Sequence, residues 1–147
     1  PARQLVPLLD KLTFEDTAVR NAAYLLRNWD RKLDPACVAA GIYAMWENKI
    51  TEAAAARFIP EALKGLVYLQ LHKIIDWIRY PEKRFGSDAV NQRDRFLRST
   101  FESAVQELNK KLNKDCTLLD AKELSRMRFY NNYNWLLLCS FFFLVFW

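Results

Sequence analysis

Glycine and proline are scarce in this chain, three and five among 147 residues. A β fold of many short strands needs turn residues at each reversal, so this scarcity argues against one and favours a few long helices. Cysteine is sparse and unpatterned. Cys37, Cys116 and Cys139 are an odd set with no C-x-x-C pair, which gives neither a disulfide framework nor a zinc motif. Histidine occurs once, at His72. The start of the chain shows no methionine and no charged-then-apolar leader, and Pro1 reads as the start of a processed product or an internal piece. There is no internal repeat and no linker that would split the helical part.

What is present is apolar. Hydrophobic residues make up 52% of the chain, which excludes disorder for most of it, and the length suits one domain with a modest core. The net charge of +5 permits weak attraction to nucleic acid or anionic lipid. Its simplest reading is a solvated basic surface, with no specific nucleic-acid partner.

The chain is organised around LLRNWDRKLDPACVAAGIYAMW, residues 25–46. Leu26 and Trp29 close one apolar face. Val38, Ile42, Met45 and Trp46 open the next at helical spacing. Asp34 is a good N-cap, and Pro35 suits the first helical position, where no N–H is lost. The two tryptophans are expected to be buried and to hold the second and third helices together.

Apolar periodicity predicts a short helix over 4–11, then helices near 15–31, 35–58, 61–79 and 88–113, with a weaker one over 119–127. Thr13 and Asp16 resemble a capping box for the second. Pro60 ends the third. The fourth has the cleanest stripe: Leu63, Leu66, Val67, Leu71, Ile74, Ile75 and Ile78. Gly86 is placed to take a positive φ, and Asp88 caps the fifth helix. The expected fold is all-α, about five helices paired as helical hairpins.

Two runs of residues carry a family resemblance. The first is Asn28-Trp29-Asp30, Leu33-Asp34-Pro35, Ala39-Ala40 and Tyr43-Ala44-Met45-Trp46. The second is Phe85-Gly86, Arg93-Asp94 and a helix reaching Glu107-Leu108. In order and spacing they resemble the late β-chain region of the penicillin acylase (penicillin amidase) family, N-terminal-nucleophile amidohydrolases. Relatives often carry glycine after the WD pair, where this chain has Arg31. The resemblance covers roughly residues 1–115 and implies a helical segment of a parent αββα Ntn-hydrolase sandwich with added helices. It implies hydrolysis of a linear amide, a chemistry whose substrates in relatives include β-lactams and acyl-homoserine lactones. The implied partner is the rest of the parent acylase chain. Relatives are often periplasmic or secreted.

In such enzymes the nucleophile is a serine, cysteine or threonine at the N-terminus of the β chain, and its own α-amino group is the base. An asparagine side chain and a backbone N–H form the oxyanion hole. Those residues lie upstream of the matched region, and Pro1 has no hydroxyl or thiol. No catalytic, cofactor-binding or metal-binding residue is therefore carried over, and the chain alone is expected to be inactive.

Other candidates have plainer explanations. His72 as a base needs a nucleophile and an orienting acid, and reads instead as a structural histidine. Asp30 and Asp34 flank the turn as a carboxylate pair would, yet helix-end roles account for both. Arg93, Arg95 and Arg98 are interrupted by Asp94, Glu102 and Glu107, which suits a solvated helix face. Cys37 reads as a small buried residue.

Residues 116–147 depart from the family pattern and form a divergent apolar tail. Its end, WLLLCSFFFLVFW over 135–147, holds no charge. As a helix this stretch would rise about 20 Å against a bilayer core of about 30 Å. Membrane contact, strand pairing, or sequence foreign to the parent fold are the readings open to it, the last being favoured. The alternative to the acylase reading is a stand-alone helical module that contacts proteins or membranes.

Overall fold

A computed structural model describes residues 1–34, 37–64 and 66–111. Among these there is no strand. Five α-helices, α1 (Ala2–Leu5), α2 (Thr17–Arg27), α3 (Val38–Phe58), α4 (Leu71–Arg79) and α5 (Ala89–Lys111), are joined by 3-10 turns at Val6–Lys11, Glu61–Leu63 and Pro81–Lys83. The expected all-α architecture is what forms. The weak helix over 119–127 and the apolar tail lie outside the described residues.

The N-terminal segment is α-helical only to Leu5 and continues as 3-10 helix, since Pro7 has no N–H to give to an α-helical bond. Its leucines still point inward: Leu5, Leu9 and Leu12 are buried. Arg27, exposed at the end of α2, holds this segment down. Its guanidinium pairs with Asp10 at 2.7 Å and donates to the Leu9 carbonyl at 2.9 Å.

Asp16 is itself the N-cap of α2 and not the third residue of a box begun by Thr13. Its carboxylate accepts from the N–H groups of Ala18 (2.6 Å) and Val19 (3.4 Å), satisfying two donors that a helix start leaves open. The helix ends at Arg27, four residues before the expected limit. The Asn28 side chain donates back to the Tyr24 carbonyl at 2.9 Å, and the Asp30 carboxylate accepts the Lys32 N–H at 3.0 Å, a local turn that competes with helix.

The start of α3 also differs from expectation. Pro35 lies outside the described residues, and Asp34 is not the cap. The Cys37 N–H donates to the Asp34 carbonyl at 2.9 Å, closing a turn. Cys37, half-buried, then takes the extended N-cap geometry, and its carbonyl accepts the Gly41 N–H at 3.2 Å. From there five consecutive residues, Ala39 to Tyr43, are buried, so this helix start is enclosed on all sides. Pro60 follows its end as expected.

The fourth helix is the largest departure. Only Leu71–Arg79 is α-helical. Ile74, Ile75 and Ile78 are buried, but Leu63, Leu66 and Val67 from the same stripe are exposed, Leu66 by 81%. The 3.6 period is present throughout, yet only the second half finds other side chains to pack on, and helical stability comes mostly from that packing. Gly86 does adopt a positive φ, +86°. Asp88 stands just before α5. Its carboxylate accepts from the Asn91 side-chain amide at 2.9 Å, and its carbonyl accepts the Gln92 N–H at 2.9 Å.

Candidate functional site

The most extensive packing joins α3 and α5, and it brings the two motif runs together. Trp46, fully buried, sets its ring edge-on to Phe101 at 5.2 Å. Its indole N–H donates to the Thr100 hydroxyl at 3.2 Å, and that hydroxyl lies 2.9 and 3.0 Å from the Phe96 and Leu97 carbonyls. The buried indole and hydroxyl are therefore both partnered. Trp46 thus ties α3 to α5, a connection beyond the α2–α3 pairing that the sequence suggests. Trp29 makes the α2 connection. It lies beyond the last turn of α2, is buried, and stacks at a tilt on Tyr43 of α3 with centroids 5.4 Å apart. Phe85 of the FG pair continues the aromatic layer to Phe58 (5.5 Å) and Phe96 (5.6 Å).

Arg93 is a correction on this face. Its charge suits a solvated helix face, but it is buried, only 9% exposed. It precedes Phe96 and Leu97 by three and four residues, which puts its apolar stem on their side of the helix. Its guanidinium closes on its own neighbour, Asp94, at 2.7 and 2.8 Å. The RD pair of the motif is therefore a self-neutralising unit at the edge of the core. Arg95 is exposed and Arg98 half-buried, with the Arg98 Nε buried and unpartnered among the described residues.

An ion cluster clips the far end of the same interface. Lys49 of α3 reaches Glu107 of α5 at 2.6 Å and Glu52 at 2.8 Å, and Lys111 reaches Glu107 at 2.8 Å. Hydrogen bonds from Lys111 and then Lys49 lower the Glu107 carboxyl to about 2. The bond to Glu107, then that to Glu52, raises Lys49. Because the folded Glu107 value lies below the unfolded one, its contribution is present above the ordinary carboxylate range and is lost as pH falls towards 2. Glu107→Gln should lower the thermal midpoint slightly at neutral pH, and the gap to the parent should close on acidification. Melting curves of both chains from neutral pH to pH about 2 check this, and a gap independent of pH would refute it.

The candidates for chemistry do not converge. His72 is exposed on α4, and no hydroxyl or thiol among the described residues hydrogen-bonds to it. The Asp30 carboxylate is engaged with Lys32 in the turn, and Asp34 stands exposed in the same loop. The hydroxyls of Thr51, Ser99 and Thr100 each donate to a helix carbonyl about one turn back. Among the described residues no group of three His, Cys, Asp or Glu side chains is placed to hold a metal ion. The Tyr43 hydroxyl is buried without a hydrogen-bond partner among the described residues, and burial, then the Glu47 carboxylate, pushes its ionisation up.

What this face offers is an interlock of aromatic anchors, and comparison with known proteins bears on whose interlock it is. The penicillin amidase family model matches residues 1–144, a span that runs past Asp115, where the motif resemblance ends. No curated protein and no solved structure matches the chain. With nearly all of its length matched, the chain belongs to the penicillin amidase family.

Proposed function

We propose that this chain is a non-catalytic helical part of a penicillin-acylase-like hydrolase that acts on C–N bonds of linear amides. One observation carries the reading. The family motifs, Trp29, Tyr43 and Trp46 on one side and Phe85 and Arg93 on the other, are spent on the helix interlock. Their side chains supply packing rather than an exposed nucleophile, base and oxyanion donor set. The Ntn-hydrolase mechanism, with its N-terminal nucleophile, belongs on this reading to the rest of the acylase chain, which is the partner we propose. Leu63, Leu66, Val67 and Tyr68, all exposed, are suited to lie against that partner. No helix among the described residues is long and apolar enough to cross a membrane, so a spanning role draws no support from them.

The purified chain should release no amine from a phenylacetyl or acyl-homoserine amide above the uncatalysed rate. Turnover that disappears when a residue within the chain is substituted would sink the proposal.

A further inference from the structure

A cationic corner is built where the end of α3 meets α4 and the Pro81–Lys83 turn. Four rings and four cations interleave there. The Arg57 guanidinium lies 5.5 Å from the Phe58 ring centroid and 5.2 Å from that of Phe85. Phe58 contacts Trp77 edge-on at 5.3 Å, and Arg84 lies over Trp77 at 4.9 Å. Beyond them Tyr80 carries Arg79 at 5.4 Å and Lys83 at 4.4 Å. Rings order these long side chains.

The charge is not balanced locally. Lys83 pairs with Asp76 at 3.1 Å, and Arg57 donates only to the neutral Gln92 side-chain oxygen at 3.3 Å. Among the described residues no carboxylate lies within ion-pair distance of Arg57, Arg79 or Arg84. All three arginines are exposed. Glu82 is the other carboxylate of this turn, so cations prevail.

We propose that this corner docks an acidic peptide segment of a protein partner, with Arg57 and Arg84 each gripping a carboxylate through the fork of the guanidinium. Charge complementarity sets the sign, and the planar fork matches two carboxylate oxygens at once. Nucleic acid suits the corner less well. Single strands are bound by stacking bases on open aromatic faces, and here bases would have to displace cations from Phe58, Trp77 and Tyr80. The inference goes beyond the hydrolytic reading and does not depend on it.

The test is calorimetric titration of the full chain at low salt with an oligoglutamate peptide, and in parallel with oligouridylate and inorganic phosphate. Oligoglutamate should bind saturably and more tightly than either. Arg57→Gln with Arg84→Gln should weaken it by about tenfold. An equal charge loss in the exposed α2–α3 loop, Arg31→Gln with Lys32→Gln, should change it less than about twofold. If the glutamine pair fails to fold by circular dichroism, Arg57→Lys with Arg84→Lys decides: charge is kept, the fork is lost, and binding should still weaken. Absent binding to oligoglutamate, equal losses in the corner and loop pairs, full affinity in the lysine pair, or tighter binding of oligouridylate would each overturn the proposal.

Discussion

Trp46→Ala is expected to remove about 3–5 kcal/mol of stability, a large part of the roughly 5–15 kcal/mol that holds a small domain together. The side chain is wholly enclosed and its neighbours are fixed from both helices. Phe101, which receives its edge, is itself fully buried and also touches Phe14 at 5.3 Å. A void at Trp46 therefore cannot be filled by a rotation of Phe101 without opening a second one. The hydrogen bond adds a polar component that can be read separately. Trp46→Phe keeps much of the ring but leaves the Thr100 hydroxyl without the indole donor. It should cost less than the alanine change, with about 1 kcal/mol of the loss due to the bond. Because Thr100 still donates to a helix carbonyl, its hydroxyl is not left wholly unsatisfied. Urea unfolding of the parent and both variants gives the comparison. Equal midpoints for the parent and Trp46→Ala would mean that α3 and α5 are not joined at this ring.

The same interface explains how much the sequence could reveal. The body of α5 was legible because Leu97, Phe101, Ala104 and Val105 recur at the helical period and all four are buried. The length of α3 was legible because Pro60 bounds it. The opening half of the fourth helix was misread for a physical reason: periodicity shows which residues share a face, but not whether anything covers that face. Leu66 and Ile74 look alike in the stripe, yet one is exposed and the other buried. Arg93 was misread in the opposite sense, since a charged residue at a core-facing position is hidden until its pairing with Asp94 is seen. The motif tryptophans pointed correctly to buried anchors, and Trp29 to α3, but not to the contacts that Trp46 makes with α5. Trp46 meets Phe101 and Thr100, contacts that no local pattern encodes. The cationic corner was invisible for the same reason, as Arg57 and Arg84 are far apart in the chain and meet one ring cluster only after folding.

Trp29→Ala tests the other anchor, and its expected cost is also about 3–5 kcal/mol. Trp29 does two jobs in one loop. Its ring covers Tyr43 on α3, and its indole N–H donates to the Lys32 carbonyl at 3.0 Å. That bond draws the chain back over the ring, and between its two ends Arg31 sits at φ +64°. A side chain in this left-handed region costs roughly 1–2 kcal/mol, which is why relatives that often place glycine after the WD pair are instructive here. Removing the indole should release the loop as well as uncover Tyr43. Arg31→Gly gives the matching experiment with the opposite sign: a residue free to take positive φ should stabilise the chain by up to about 1 kcal/mol. In the Trp29→Ala background that gain should shrink, because the loop is no longer held in the strained conformation. A double-mutant cycle measured by chemical denaturation checks this coupling. If Trp29→Ala left the midpoint unchanged, the tryptophan would not be an anchor. If Arg31→Gly gave the same change in both backgrounds, the strain would be independent of the indole, and the WD turn would not act as one unit with the helix it covers.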